Sequence, residues 1–185
     1  MKVLLCISGA SGVVYGERSM RTLSKMENID VDLVISEAAR GLLELELDVE
    51  VDDIISLTRN NYDPNELNAP PASGSSLYDA VAIVPCSVST LSKIAAGIGD
   101  NLITRAAAVA LKENRKLILV LRETPLSRIS LENMVTVCSA GGTILPACPA
   151  FYGSPKSMDD LIDFIVGKLL DCMGIENDTY TRWTG

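Results

Sequence analysis

The chain has 185 residues, a net charge of −8 and no histidine. The acidic balance disfavours binding to nucleic acid or to anionic membrane surfaces, and the missing histidines remove the commonest metal ligand and the usual general base near neutral pH. The length predicts a single domain over residues 1–185, and no metal site is expected.

Apolar residues make up 48% of the chain, and the mean hydropathy of +0.25 is high for a globular domain. The longest apolar runs have the length of a strand and fall far short of the roughly 20 residues that cross a bilayer, so we expect no membrane span. The surplus of apolar residues predicts burial between subunits of a homo-oligomer. The five cysteines form no C-x-x-C pair and are odd in number, which predicts reduced thiols, mostly in the core, in a cytoplasmic protein.

Apolar periodicity predicts strands that alternate with helices. In chain order, the first strand covers residues 2–8, a helix runs from about 13 to 26, a strand covers 30–35 and a helix begins at 37. Further strands are predicted at 79–84, 116–121 and 142–146, with helices near 88–96, 101–113 and 157–173. This order predicts a three-layer α/β fold, in which a parallel sheet carries helices on both faces.

The segment Arg59–Asp79 shows neither a helical nor a strand period. It contains the run Ala-Pro-Pro-Ala-Ser-Gly-Ser-Ser at 69–76, a composition typical of flexible linkers. No second domain follows for a linker to join, and long loops within one domain are usually functional. Both interpretations remain open from the sequence.

Ligands of open parallel sheets bind beyond the carboxyl ends of the strands. The segments that follow the predicted strands are rich in hydroxyl and charged side chains: Ser8–Gly12, Ser36, Pro85–Thr90, Arg122-Glu123 and Pro146–Tyr152. Loops are hydrophilic in general, but so many hydroxyl groups at one edge favour a shared ligand site.

Two of these segments are candidate anion sites. Ser8-Gly-Ala-Ser-Gly12 joins a strand to a helix and presents backbone N–H groups and two hydroxyls. It is neither a Walker A loop nor a complete dinucleotide fingerprint, and a tight connection that merely needs small residues is the alternative. Ser87, Ser89 and Thr90 open the helix near 88–96, where a serine is often only a cap. Ser36 is predicted to cap the helix that begins at Glu37.

Three sets of charged residues are further candidates. Arg122-Glu123 follows a core strand at the predicted ligand edge, where Arg suits a phosphate and Glu a proton transfer. Arg105 and Lys112 lie seven residues apart on one helix face, although solvated surface charges explain them more simply. Glu46 lies among Glu44, Asp48 and Glu50, which is typical of an acidic surface.

Taken together, these motifs resemble the UbiX/Pad1 family of flavin prenyltransferases, over nearly the whole chain from Lys2 to Trp183. The matching segments are Gly9-Ala-Ser-Gly12, the run at 69–76, Pro85-Cys-Ser87 with Thr90, Asn101-Leu-Ile-Thr-Arg105, Arg122-Glu-Thr-Pro125, Leu131-Glu-Asn-Met134 and Pro149-Ala-Phe-Tyr152.

The resemblance implies a flavodoxin-like sheet, a dodecamer, and a reaction that joins a dimethylallyl group from dimethylallyl phosphate to N5 and C6 of reduced FMN. The product, prenylated FMN, would serve UbiD-type decarboxylases. The implied FMN-binding residues are Gly9, Ala10, Ser11, Ser36, Ser87, Val88, Ser89, Thr90, Arg105 and Arg122. The phosphate of FMN is expected on Ser36 and Ser87–Thr90, with the first turn against the flavin ring.

The implied binding residues for the prenyl phosphate are Lys112, Arg122, Glu123, Tyr152 and Lys168, and the implied catalytic residues are Ser11, Glu46, Lys112 and Glu123. Ser11 and Glu46 would assist proton removal at C6, and Glu123 the departure of phosphate.

Two positions depart from the family pattern. Many relatives carry a tryptophan before the 69–76 run, where this chain has Leu67, and an arginine on the last helix, where it has Lys168. Lysine keeps the charge of arginine but loses its bidentate fork.

Two other functions remain as alternatives. A flavin-dependent cysteine decarboxylase of the related group would use a catalytic histidine, which the chain lacks. A non-catalytic FMN-binding subunit of a decarboxylase system would need the FMN contacts but not Lys112, Glu123 and Tyr152.

Overall fold

A computed structural model describes residues 1–47 and 49–185. These residues form one sheet of six strands, which are β1 (Lys2–Ile7), β2 (Asp30–Ile35), β3 (Asn60–Tyr62), β4 (Ala80–Cys86), β5 (Lys116–Leu121) and β6 (Thr143–Pro146). Their order is β3-β2-β1-β4-β5-β6, and each neighbouring pair is parallel. Without the short edge strand β3, the order of the other five is that of a flavodoxin-like sheet.

Seven α-helices within the described residues cover the sheet. They are α1 (Val13–Leu23), α2 (Glu37–Leu47), α3 (Val51–Ile55), α4 (Val88–Ala95), α5 (Leu102–Lys112), α6 (Arg128–Ser139) and α7 (Met158–Met173). The core residues of α1, α2, α3 and α7 lie on one face, and those of α4, α5 and α6 lie on the other. The predicted three-layer α/β fold is therefore confirmed.

Strand β1 shows why both faces are covered. Val3, Leu5 and Ile7 belong to one core cluster, whereas Leu4 and Cys6 belong to the other. Since successive side chains of a strand point to opposite faces, a run that is apolar at every position needs helices on both sides.

The predicted bounds of β2 and β5 agree with the structure, whereas α3, β3 and α6 were not predicted. Helix α6 was not predicted because it lacks a clear amphipathic pattern. Only Ser130 and Val137 are buried, whereas the apolar residues Ile129, Leu131 and Val135 are exposed. The expectation that residues 59–79 lack regular structure was wrong for β3 and for two short 3₁₀ turns, Pro70–Ala72 and Gly74–Ser76.

The segment 59–79 is held to the sheet at both ends by the buried carboxylate of Asp32. The Asp32 side chain accepts hydrogen bonds from Asn60 Nδ2 at 2.8 Å and from Tyr78 Oη at 2.6 Å, and Lys2 Nζ lies 3.7 Å away. Burial and the adjacent carboxylate raise the pKa of Tyr78, so its hydroxyl stays a donor. These contacts favour an ordered loop over a flexible linker.

All five cysteines are free, but the expectation that most lie in the core was wrong. Cys6 and Cys86 are buried, Cys138 and Cys148 are exposed, and Cys172 is half-buried. Burial raises the pKa of Cys86 to about 12 and that of Cys6 further, so these two thiols stay protonated.

Two features are absent from residues 1–47 and 49–185. None of the helices there is long and apolar enough to cross a membrane. Over the same residues, no group of three or more His, Cys, Asp or Glu side chains could hold a metal ion.

We expect Gly16→Ala to destabilise the fold, because α1 packs against the sheet at this residue. An added Cβ would clash with the carbonyl oxygen of Val84 and approach Ile7, and overpacking of this kind costs about 1–3 kcal/mol. Thermal melting at fixed protein concentration measures the effect. In the matched control, Gly41→Ala on α2, the new methyl group meets nothing within 4 Å. Equal melting temperatures for the two variants would contradict this packing.

Candidate functional site

The carboxyl ends of β1 and β4 are joined by one buried serine. Ser8 is 2% exposed. Its Oγ donates to Pro85 O at 2.9 Å and accepts from Ser87 N at 2.9 Å. The sheet order reverses between these two strands, with β2 beyond β1 and β5 beyond β4. Open parallel sheets bind ligands at this switch point.

A cavity of about 220 Å³ opens at the switch point. Its lining comes from the end of β1 and the starts of α2, α4 and α5, and consists of Ser8, Gly9, Ser36, Ala38, Ser87, Ser89, Thr90, Asn101 and Ile103. The structure thus brings together Ser36 and the Ser87–Thr90 segment, as the strand-end rule predicts.

Three helices begin at this cavity, each with a side-chain cap. Ser36 Oγ accepts from Ala39 N at 3.2 Å, which confirms its predicted capping role. Ser87 Oγ accepts from Thr90 N at 3.2 Å, and Asn101 forms a capping box with Thr104. Because helix N-termini carry partial positive charge, their convergence favours an anionic ligand. Sequence reasoning missed Asn101 as a lining residue, although the Asn-x-x-Thr spacing was a signal for the helix start.

The first turn approaches α2 closely. A Cβ on Gly9 would lie 2.5 Å from Ala38 Cβ, and Gly12 has φ +94°, so glycine is required at both positions.

Two charged groups are held on this turn. Gly12 N donates to Glu46 Oε2 at 2.8 Å, and Arg122 Nε donates to Ser11 O at 2.7 Å. The pattern around Glu46 favoured an ordinary acidic surface, but the structure holds this carboxylate against the first turn. Asp48, part of that acidic pattern, lies outside the described residues.

The Arg122-Glu123 pair lies at the same edge. Glu123 is exposed, and its Oε1 accepts from Thr124 N at 3.0 Å. Tyr15 lies close to Arg122 and Cys148: burial raises the pKa of Tyr15, the Cys148 thiol adds to the increase, and Arg122 opposes it. Sequence reasoning missed Tyr15, which carries no local motif.

Arg105 lies one turn into α5 and contacts the long loop. Its Nε donates to Ala72 O at 3.2 Å, and further along the chain Arg115 Nη2 donates to Gly74 O at 2.7 Å. These two arginines hold the 3₁₀ turns of the loop along α5.

Lys112 and Lys168 lie away from the Arg122-Glu123 pair within one chain. Lys112 is the last residue of α5, about 15 Å from its first turn at 1.5 Å per residue, and its Nζ pairs with Glu113 at 2.6 Å. Helix α7 likewise runs back along the sheet, since Lys116 at the start of β5 donates to Met173 O at 2.5 Å. Lys168 stands ten residues into α7, so both lysines lie towards the opposite edge.

Tyr152 belongs to an aromatic cluster rather than to the cavity. Its ring makes edge contacts with Phe164 at 6.0 Å and with Trp183 at 5.4 Å between centroids. A second cavity, of about 250 Å³, lies between the loop around Tyr152, helix α7 and the C-terminal tail. Sequence reasoning missed Phe164 and Trp183, because nothing in the spacing of these residues links them to Tyr152.

Comparisons with known proteins identify the family of the chain. A model of the flavoprotein family matches residues 1–170. The flavin prenyltransferase UbiX of Thermoplasma acidophilum is 49% identical over 183 residues, which cover 99% of this chain and 100% of that protein.

Two crystal structures share the fold over the whole chain. A dodecameric FMN-dependent Ubix-like decarboxylase from Escherichia coli O157:H7 has a TM-score of 0.98 and 39% identity, and covers 100% of both chains. AnUbiX (PadA1), in complex with FMN and dimethylallyl pyrophosphate, has a TM-score of 0.97 and 39% identity over 100% of this chain and 97% of that one. The chain therefore belongs to the UbiX/Pad1 family of flavin prenyltransferases.

Proposed function

We propose that this protein transfers a dimethylallyl group from dimethylallyl phosphate to reduced FMN and releases prenylated FMN. The observation that carries the proposal is the switch-point cavity, where three capped helix starts meet a turn that holds both Glu46 and Arg122. Reduced FMN supplies the N5 and C6 positions at which the new bonds form.

The cavity suits the phosphate of FMN. Its lining offers the hydroxyls of Ser36, Ser87, Ser89 and Thr90 together with backbone N–H groups at helix starts, the donors that hold phosphate in an acidic protein with few cations nearby. We assign the phosphate to Ser36 and to the segment Ser87, Val88, Ser89 and Thr90. The flavin ring then lies against Gly9, Ala10 and Ser11, on a turn that glycine at position 9 allows to pack closely against Ala38 of α2.

Glu46 is the proton acceptor in this proposal, and Ser11 assists it. The N–H of Gly12 fixes one carboxylate oxygen of Glu46. The other oxygen makes no hydrogen bond within the described residues, so it can receive a proton from a ring placed on the turn.

Arg122 binds the prenyl phosphate in this proposal, and Glu123 assists its departure. The guanidinium of Arg122 is fixed by Ser11 O, which keeps its terminal nitrogens available to phosphate oxygens. Glu123 is exposed beside it and assists the departing phosphate with a proton.

Lys112 and Lys168 reach a phosphate only from a neighbouring subunit, because one chain carries them towards the far edge of the sheet. The exposed apolar residues Ile129, Leu131 and Val135 on α6 support assembly. With the dodecameric E. coli relative, they support a homododecamer whose sites combine residues of different subunits. Arg105 and Tyr152 complete the proposed set, for FMN and the donor respectively.

The proposed setting is the cytoplasm, where free thiols such as the five cysteines of this chain stay reduced. A UbiD-type decarboxylase is the proposed acceptor of the product.

The proposal predicts an altered flavin when the purified protein is incubated anaerobically with reduced FMN and dimethylallyl phosphate. Mass spectrometry of the extracted cofactor should show the mass of FMN increased by the prenyl group. Dimethylallyl diphosphate, tested in parallel, identifies the preferred donor. Unmodified FMN with both donors would overturn the proposal and favour a flavin-carrying subunit, whereas a decarboxylase would release carbon dioxide from a cysteine peptide.

We expect Glu46→Gln to bind FMN but to lower product formation by about 10²–10⁴-fold, the usual contribution of a general base. The amide keeps the shape of the side chain but cannot take a proton. Glu44→Gln, on the same helix and exposed, is the matched control and should keep normal turnover. Normal turnover by Glu46→Gln would show that Glu46 is an ordinary surface carboxylate and not the proton acceptor.

Composite sites predict complementation between two inactive variants. Oligomers assembled from equal amounts of Lys112→Gln and Glu123→Gln subunits would have both wild-type residues in about a quarter of their sites, if each site draws on two subunits. Product formation by the mixture should approach that fraction of the wild-type rate, while each variant alone stays inactive. If the mixed oligomers were as inactive as the two single variants, Lys112 and Glu123 of one site would belong to the same chain.

A further inference from the structure

The C-terminal tail, residues 177–183, folds back along α7 and is held by one carboxylate. Asp171 Oδ1 accepts from Asn177 Nδ2 at 2.9 Å and from Arg182 Nη2 at 2.8 Å. Its Oδ2 accepts from Tyr180 Oη at 2.7 Å and from Arg182 Nη1 at 3.1 Å. Asp171 therefore binds three tail residues, and its contact with Arg182 is bidentate.

Packing supports the same path of the tail. The ring of Tyr180 lies on Gly167 so closely that a Cβ there would clash with it. Tyr180 also makes an edge contact with Phe164 at 5.0 Å, and the Arg182 guanidinium lies 5.1 Å from the Tyr180 ring centroid. The next residue, Trp183, then reaches Tyr152.

The same carboxylate also faces a lysine of the proposed donor site. Lys168 Nζ lies 3.6 Å from Asp171 Oδ2. The hydrogen bond from Arg182 and those from Tyr180 and Asn177 hold the pKa of Asp171 well below its usual range. The carboxylate thus stays charged at neutral pH and can act as a permanent anchor.

We propose that Asp171 is a positioning residue for the donor site: it fixes the tail so that Trp183 stays against Tyr152, and it holds the Lys168 ammonium in place to meet the donor phosphate. This inference rests on the proposed function, which makes Tyr152 and Lys168 ligands of the prenyl phosphate. Asp171 acts only through these neighbours and touches no reacting atom.

Asp171→Asn tests the proposal, because it keeps the volume of the side chain and removes its charge. Trp183 is the only tryptophan and is already 69% exposed in the folded tail, so the anisotropy of its fluorescence, which measures its mobility, reports on the tail better than quenching does. We expect this anisotropy to fall as residues 177–183 are released. The KM for dimethylallyl phosphate should rise about tenfold, as the loss of charge-assisted hydrogen bonds implies, with kcat and FMN affinity nearly unchanged. Asp178→Asn, which removes an exposed carboxylate from the same tail, is the matched control.

A second variant displaces the tail without changing any charge. Gly167→Ala should push Tyr180 off α7, lower the fluorescence anisotropy of Trp183 and raise the KM for the donor, while its control, Gly41→Ala, changes neither quantity. Agreement between Asp171→Asn and Gly167→Ala assigns the effect to the placement of the tail, whatever the folding stability of either variant.

The outcomes separate this inference from the proposed function. If the wild-type protein makes no prenylated FMN, the proposed function fails and the positioning role fails with it, while the fluorescence still reports whether Asp171 holds the tail. If the wild-type protein is active, two results overturn the inference alone: a tail that stays ordered in Asp171→Asn, or a released tail with an unchanged KM for the donor.

Discussion

The paired hydrogen bonds of Ser8 set the geometry on which the rest of the site depends. One hydroxyl joins β1 to β4 by accepting from Ser87 N and donating to Pro85 O. Loss of the Ser8 hydroxyl would leave the part-buried Ser87 N–H without its partner, and an unpaired buried group costs about 1–3 kcal/mol. Pro85 O would keep the hydrogen bond that it accepts from Ser8 N at 3.2 Å. Because the first turn and the start of α4 both continue from these atoms, the Ser8 link fixes the distance between the proposed flavin and phosphate positions.

A single chain builds only part of the proposed site. The hydroxyl-lined cavity, Glu46 and Arg122 come together at one edge of the sheet, whereas Lys112 and Lys168 are carried towards the other edge by helices that run antiparallel to the strands. The negative net charge of the chain offers a physical reason for this arrangement. In a chain of net charge −8, lysines supplied by a neighbouring subunit would add positive charge at the phosphates only in the assembled protein.

Much of the fold and part of the lining of the switch-point cavity were predictable from the sequence. Continuous apolar runs located β2 and β5, and hydroxyls after successive strands located Ser36 and Ser87, because the carboxyl ends of parallel strands meet. Glu46 was not predictable from its own neighbourhood, since its contact with Gly12 spans 34 residues. Helix α6 was missed because its apolar side chains face outward. The hydrogen bonds of Asp171 were missed because a tail that folds back on a helix leaves no periodic pattern in the sequence.

A structure of the assembled protein with FMN and dimethylallyl phosphate tests the composite site most directly, because it shows the partners of both phosphates. We predict the FMN phosphate within hydrogen-bond distance of Ser36 and the Ser87–Thr90 segment. The donor phosphate should contact Arg122 of one subunit and Lys112 of another. A donor phosphate bound without a lysine from a second subunit, or an FMN phosphate on the Ser8–Gly12 turn, would contradict these two assignments.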